Sequence, residues 1–227
     1  MPTVLITGAN RGIGLELTRG YAGDGHAVHA CCRTPDDADA LRAVQGDVRV
    51  HALDVTDHAA TDELAAELTG PIEVVIANAG VYGPGSEAQA FGSLDYDGMR
   101  RAFETNTFGA IKTMEAFAEH VARAEGGRMV AITSKMGSID DASGGMIAYR
   151  AAKAALNMAT AMAAAAMAPR GVAVAVVHPG WVRTDMGGPN GLVSPEESAA
   201  GIRRVIAGLK PAQKAPFLAY DGQEIPW

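Results

Sequence analysis

Short runs of aliphatic and β-branched residues alternate along this chain with longer stretches in which apolar positions recur every three or four residues. Val4-Leu5-Ile6 is the first run, and Gly12 to Tyr21 follows with Ile13, Leu17 and Tyr21 on one helical face. The Gly23–Gly25 turn leads into a second run, His26 to Cys32, and Val48 to Leu53 predicts a third strand. Ala59 to Leu68 reads as a helix, broken by Gly70-Pro71 before a nearly all-apolar strand from Ile72 to Ala77. Beyond it the pattern predicts a helix over Arg100 to Arg123, a strand over Arg128 to Thr133 and a long helix over Ala148 to Ala168. Strands over Val172 to Val177 and Phe217 to Tyr220 complete a set of seven. Strands that are apolar throughout, rather than alternating, must be buried on both faces. The prediction is one α/β domain over residues 1–227, a doubly wound, seven-stranded parallel sheet with helices on both faces.

Composition narrows the partners. The net charge is −7 with no block of Lys or Arg, which argues against a nucleic-acid partner or an anionic membrane surface. The weakly apolar run from Ala159 to Ala168 stops at Pro169, too short for a membrane span. Cys31 and Cys32 are adjacent, so on a strand they face opposite sides and cannot easily bridge each other. A reducing, cytoplasmic setting is the simplest expectation, and no leader precedes the first strand. The six histidines show no metal-ligand spacing, so no metal is expected. The Gly- and Pro-rich segment from Met186 to Pro195 is the candidate mobile loop.

Two short patterns carry chemistry. TGANRGIG, Thr7 to Gly14, stands between the first strand and the first helix. Its glycines permit a tight turn and close backbone approach to a diphosphate, and the helix N-terminus offers free N–H groups to the anion. The second pattern is AYRAAK, residues 148–153, in which Tyr149 and Lys153 are four apart and share one helix face. Taken alone, the pair reads as readily as a core-edge tyrosine and a surface lysine. A phenol ordinarily titrates near 10. A nearby ammonium, or an oxidised nicotinamide, favours the phenolate and makes Tyr149 a tunable proton donor.

The Gly-x-x-x-Gly-x-Gly spacing of Gly8, Gly12 and Gly14, together with Tyr149 and Lys153, resembles the short-chain dehydrogenase/reductase family, and the resemblance covers almost the whole chain. It implies a Rossmann-type fold and a nicotinamide cofactor. Asn10, Arg11 and Ile13 lie within the glycine turn. Asp54, with Val55 beside it, follows the third strand where the family places an Asp near the adenine. Asn78-Ala79-Gly80 is similar to the family's Asn-Asn-Ala-Gly, with Ala77 departing at the first position. Asn106 in TNTFGA matches the asparagine of the fourth helix, though it also reads as a buried amide pinning a helix bend. Ser134 closes the fifth strand, with Thr133 and Ser138 as neighbouring hydroxyls. His178-Pro179-Gly180, with Val182 and Thr184, resembles the turn that flanks the nicotinamide. SKMGSID, GGMIAYRAAKAALN, HPGWVRTDMGG and YDGQEIPW look more narrowly like the C-factor and sniffer-like carbonyl reductases of the family.

The resemblance implies that Tyr149 gives a proton to a substrate oxygen, that Lys153 binds ribose and tunes Tyr149, that Ser134 holds the substrate oxygen and that Asn106 supports a relay water. The substrate would be a small-molecule carbonyl or alcohol. The second strand ends in Cys31-Cys32-Arg33 with no acid to bind a ribose 2′-hydroxyl. Arg33 and Arg11 suit a 2′-phosphate, so NADP(H) is expected over NAD(H). AMAAAAMA, residues 161–168, would pack tightly within the chain or form a homodimer or homotetramer interface. Two rival readings are a cofactor-binding signalling protein with little turnover and a cofactor-regenerating epimerase or dehydratase. The retained Tyr, Lys and Ser argue against the first, and the short chain after the last strand against the second.

Overall fold

The computed structural model describes residues 1–227 and places the strands close to the apolar runs. They are β1 (Thr3–Thr7), β2 (Ala27–Cys32), β3 (Val48–Ala52), β4 (Val74–Ala77), β5 (Arg128–Ile132), β6 (Ala173–His178) and β7 (Phe217–Ala219). The helices are α1 (Gly12–Gly23), α2 (Asp39–Arg42), α3 (His58–Glu67), α4 (Tyr96–Phe103), α5 (Ala110–Ala116), α6 (Ala118–Ala122), α7 (Ile147–Met167) and α8 (Pro195–Gly208). All neighbouring strands are parallel, in the order β3-β2-β1-β4-β5-β6-β7. The winding reverses between β1 and β4. A crevice therefore opens there at the C-terminal ends of the strands, where the loops after β1, β4 and β5 come together.

Two cores flank the sheet, as the unalternating strands require. Leu5, Cys31, Val75, Met129 and Val176 pack under α3, α5 and α7 through Leu64, Met114 and Leu156. Val4, Ile6, Cys32, Ile76 and Val177 pack under α1 and α8 through Leu17, Ile202 and Ile206. The adjacent cysteines thus face opposite layers, and both are free and buried.

Besides the short, unanticipated α2 and a start of α4 four residues early, the fold departs from the expected pattern in two larger ways. The single helix expected over Arg100 to Arg123 is interrupted. After α4 the chain runs through a π-helical segment, Glu104–Gly109, before resuming as α5 and α6. The buried Asn106 sits in that segment, and a Cβ on Gly109 would lie 2.7 Å from the Val55 carbonyl oxygen. The wider turn accommodates an amide that binds outside the helix, so Asn106 does mark a helix irregularity. The second departure is α8, which packs along α1 and closes the second core. Its start was readable in Ser194-Pro195-Glu196-Glu197: Ser194 accepts a hydrogen bond from the Glu197 N–H, with Pro at the first turn. The segment from Met186 to Pro195 is braced rather than open. Val182 bridges Val193, and Trp181 Nε1 donates to the Gly187 carbonyl at 2.8 Å.

The β2–β3 edge carries a pair of histidines, His29 Nδ1 to His51 Nε2 at 2.9 Å. One nitrogen must donate and the other accept, which two imidazolium rings cannot do. Burial, followed by the neighbouring His51, pushes His29 down to about 4, and burial also lowers His51. His178, whose buried Nδ1 has no partner, is likewise pushed to about 4 by burial. Folded-state values below the unfolded one give stability that is present above pH ~6.5 and lost as pH falls towards 4. Allowing for partial solvent screening, the loss is on the order of 3–5 kcal/mol. Urea unfolding at pH 7.5, 6 and 4.5 should show it, and His29→Gln should flatten the upper part of the profile.

Candidate active site

The turn after β1 is built from backbone shapes that need glycine. Gly8 and Gly12 adopt left-handed conformations, with φ of 66° and 53°. At Gly14 a Cβ would lie 2.1 Å from the Gly8 carbonyl oxygen. Thr7 clamps this turn to the end of β4. Its hydroxyl accepts from the Asn78 and Ala79 N–H groups, both at 3.1 Å, while Asn78 Nδ2 donates to the carbonyls of Thr7 and Gly8. The N-terminus of α1 has no side-chain cap and no acid in its first turn, so its N–H groups face the crevice. A tight glycine cradle under uncapped donors fits the diphosphate of a dinucleotide. Asn10 and Ile13 are half-buried along its rim.

Around the cradle, the residues expected near adenosine are spread along the strand ends. Arg33 is exposed immediately after β2, with no ion pair. Arg11 is also exposed, but it pairs with Asp185 at 2.5 Å across the crevice. Asp54 is exposed and accepts from the Thr56 backbone and hydroxyl, at 3.0 and 2.8 Å, whereas Val55 is buried. On the other side, Thr184 approaches the glycine turn, its Cγ2 3.1 Å from where a Cβ on Gly12 would lie. Gly180, at φ 87°, turns the chain over Tyr220 and Val193. Val182 is buried, and the Pro179 carbonyl accepts from Ser198.

Helix α7 brings the polar centre into the crevice. Lys153 is only 4% exposed and its Nζ donates to the Ile132 carbonyl at 2.9 Å. Burial lowers its pKa to about 8. Asn106 exchanges two 2.8 Å hydrogen bonds with the backbone of Val81. A Cβ on Gly80 would lie 3.0 Å from Asn106 Oδ1 and 3.6 Å from Lys153 Nζ, so both groups gather over a residue that must stay small. Tyr149 is buried, its ring 5.0 Å from that of Tyr82 and 6.0 Å from Lys153 Nζ. Lys153 does not lower the phenol pKa as expected, because burial outweighs it. Burial raises Tyr149 to about 12, the nearby Ser134 hydroxyl opposes the rise and Tyr82 adds to it.

Ser134 is buried, two residues past the end of β5 rather than at it, and its Oγ accepts from the Met136 N–H at 3.2 Å. The neighbouring hydroxyls have other partners. Thr133 donates to Asn157 at 2.6 Å, and Ser138 accepts from the Asp141 N–H. Asn157 Nδ2 in turn donates to the Gly137 carbonyl, so α7 grips the chain on both sides of Ser134. Sequence reasoning passed over Thr7, Asn157 and the fully buried Gln89, whose side chain meets the start of α7. Asn157 had a signal, being two turns beyond Tyr149 on the same face. Gln89 had none.

Comparison with known proteins agrees with this geometry. The family model for short chain dehydrogenase matches residues 2–192. C-signal from Myxococcus xanthus is 41% identical over 160 residues, covering 70% of this chain and 95% of that protein. The structure of the carbonyl reductase Sniffer of D. melanogaster superposes with a TM-score of 0.93 at 28% identity, covering all of both chains. The structure of NADPH-bound carbonyl reductase from chicken fatty liver gives a TM-score of 0.89 at 29% identity, covering 100% of this chain and 99% of that one. No helix is long and apolar enough to cross a membrane. A glycine cradle at the sheet's switch point, a Tyr-x-x-x-Lys helix running into the same crevice and a match over most of its length lead to one conclusion: the chain belongs to the short-chain dehydrogenase/reductase family of NAD(P)-dependent oxidoreductases.

Proposed function

We propose that this protein interconverts a small-molecule carbonyl and an alcohol, preferring NADP(H), with Tyr149 as proton donor in the reducing direction. The observation that carries the reading is the convergence of buried Tyr149, Lys153 and Ser134 at the crevice beside the glycine cradle. A bound nicotinamide supplies or accepts the hydride. Everything else falls to the chain. Ser134, close enough to the phenol to oppose its rise, would hold the substrate oxygen against it. A phenol pushed up to about 12 keeps its proton throughout the neutral range, the state a donor to a carbonyl oxygen needs. Lys153, held by Ile132, serves the ribose hydroxyls, and Asn106, fixed by Val81, keeps Oδ1 near Lys153 for a bridging water. Asn78, Ala79, Gly80, Pro179, Gly180, Val182 and Thr184 shape the walls.

Arg33 and the lack of an acid after β2 support the 2′-phosphate preference, as does the NADPH bound by the chicken enzyme. Arg33→Asp is expected to raise the Kd for NADPH by about tenfold to a hundredfold, the loss of one charge-assisted phosphate contact plus a repulsion, with NADH changed less than threefold. Fluorescence titration with both cofactors checks this; equal losses would remove the assignment. A homodimer or homotetramer through the outer face of α7 belongs to the same proposal, since Met158 and Met162 are exposed there.

The similarity to C-signal favours a second reading, in which the bound cofactor serves signalling and turnover is slight. The deciding experiment is NADPH and NADH oxidation across a panel of aldehydes, ketones and quinones, with Tyr149→Phe as control. Turnover by the wild type alone, faster with NADPH, supports the reductase; no turnover with any of them shifts the weight to the second reading.

A further inference from the structure

Helix α7 begins in an unusual way. Gly144, Gly145 and Met146 are successive left-handed residues, and Met146, at φ 53°, occupies the N-cap position. A methionine there has no oxygen to accept a first-turn N–H, and the third N–H of the helix is the one a capping Ser or Asp would normally satisfy. That N–H belongs to Tyr149. Its acceptor comes from 60 residues away: Gln89 Oε1, at 2.9 Å. The same amide donates from Nε2 to the carbonyls of Tyr82 at 3.1 Å and Pro84 at 2.6 Å. Gln89 is fully buried, and both its donors and its acceptor oxygen are engaged. Its orientation is unambiguous, because an N–H can only donate and carbonyls can only accept.

The contacts join two parts of the site. One end of the amide holds the backbone of Tyr149. The other holds the carbonyl of Tyr82, whose ring lies 5.0 Å from the Tyr149 ring and forms its outer wall. Gly83 is left-handed at φ 87°, and a Cβ there would approach Ala102 to 3.4 Å and Gln89 to 3.6 Å, so the loop is threaded closely around this amide. Tyr82 is 41% exposed, so its outer side faces solvent.

We propose that Gln89 is a positioning residue: it substitutes for the missing cap of α7 and holds the Tyr82 ring over Tyr149, limiting the access of water to the phenol. The proposal rests on the assignment of Tyr149 as proton donor. Releasing the loop admits water to the phenol and removes the Tyr82 ring, and both changes favour the phenolate.

The test is the titration of Tyr149 in the cofactor-free protein, followed by NMR with tyrosine labelled at the hydroxyl-bearing ring carbon and assigned against Tyr149→Phe. Gln89→Met, similar in shape and unable to hydrogen-bond, should lower the Tyr149 midpoint by about one unit. Tyr82→Ala, at a half-exposed position that the fold tolerates, should do the same. The double variant should move it no further than either change alone. In turnover, Gln89→Met should lower kcat about tenfold with the NADPH Kd within about twofold. An unchanged midpoint in either single variant, or shifts that add in the double variant, would overturn the proposal. Should the wild type reduce no carbonyl, the reductase reading fails, and the titration still decides whether Gln89 acts on Tyr149 through Tyr82.

Discussion

Tyr149→Phe is expected to lower kcat for carbonyl reduction by about three orders of magnitude, within the range that a positioned general acid contributes. The NADPH Kd should stay within about twofold. The variant keeps the ring that packs on Tyr82 and removes only the hydroxyl, so folding should be little affected. Stopped-flow single turnover with saturating NADPH separates the chemical step from product release, and a mutant as fast as wild type there would end the assignment. The pH dependence gives an independent handle. A phenol raised to about 12 by burial is the acid at every neutral pH, so carbonyl reduction should not be limited by its protonation. The reverse oxidation needs the phenolate, whose fraction grows tenfold per unit below the pKa. Alcohol oxidation should therefore rise with pH up to the pKa of the phenol in the cofactor-bound protein, which the oxidised nicotinamide brings below the value set by burial alone, while reduction does not, and Tyr149→Phe should abolish that rise.

Much of the scaffold was legible because it depends on local rules. Seven apolar runs gave the seven strands to within two residues at most ends, and the unalternating pattern correctly implied two cores. The glycine turn could be read because each glycine meets a demand the chain itself imposes, a left-handed φ at Gly8 and Gly12 and a backbone contact at Gly14. Tyr149 and Lys153 could be read because four residues make roughly one helical turn.

What was not legible depends on contacts between distant segments. The phenol pKa was expected to fall because the charge of Lys153 is visible in the sequence; it rises because burial is not. Arg11 reads as a free basic group in the glycine turn, and only the folded loop shows Asp185 brought to it from 174 residues away. Gln89 ends a single 3-10 turn, Ser86–Gln89, too short to show periodicity, and its three partners are set by threading rather than by spacing. The π-helical segment at Asn106 arises because the amide binds Val81 outside the helix, which no propensity encodes. The sequence therefore spoke for the groups proposed to meet cofactor and substrate better than for those that hold them.

Lys153→Met is expected to abolish measurable turnover and, at the same time, to stabilise the cofactor-free protein. The ammonium is buried with one protein acceptor, and its pKa has fallen from 10.5 to about 8. A folded-state value below the unfolded one means that the protonated lysine opposes folding. The penalty is complete below about pH 8 and vanishes as pH rises towards 10.5. The shift corresponds to about 3 kcal/mol, from which the lost hydrogen bond to Ile132 takes back about 1 kcal/mol. Methionine fills much of the same volume without a charge to desolvate, so the net gain at pH 7 should be about 2 kcal/mol, or roughly 4–8 °C in Tm for a chain of this size. The gain should shrink between pH 8 and pH 10, which distinguishes relief of a buried charge from better packing. Thermal melts at pH 7, 8.5 and 10 measure it, and a variant that melts lower than wild type at pH 7 would show that the lysine supports the fold. The opposite signs bear on the proposed function: a lysine whose buried charge opposes folding, yet which stands at the centre of the crevice, fits a role with bound cofactor and substrate better than a role in the fold.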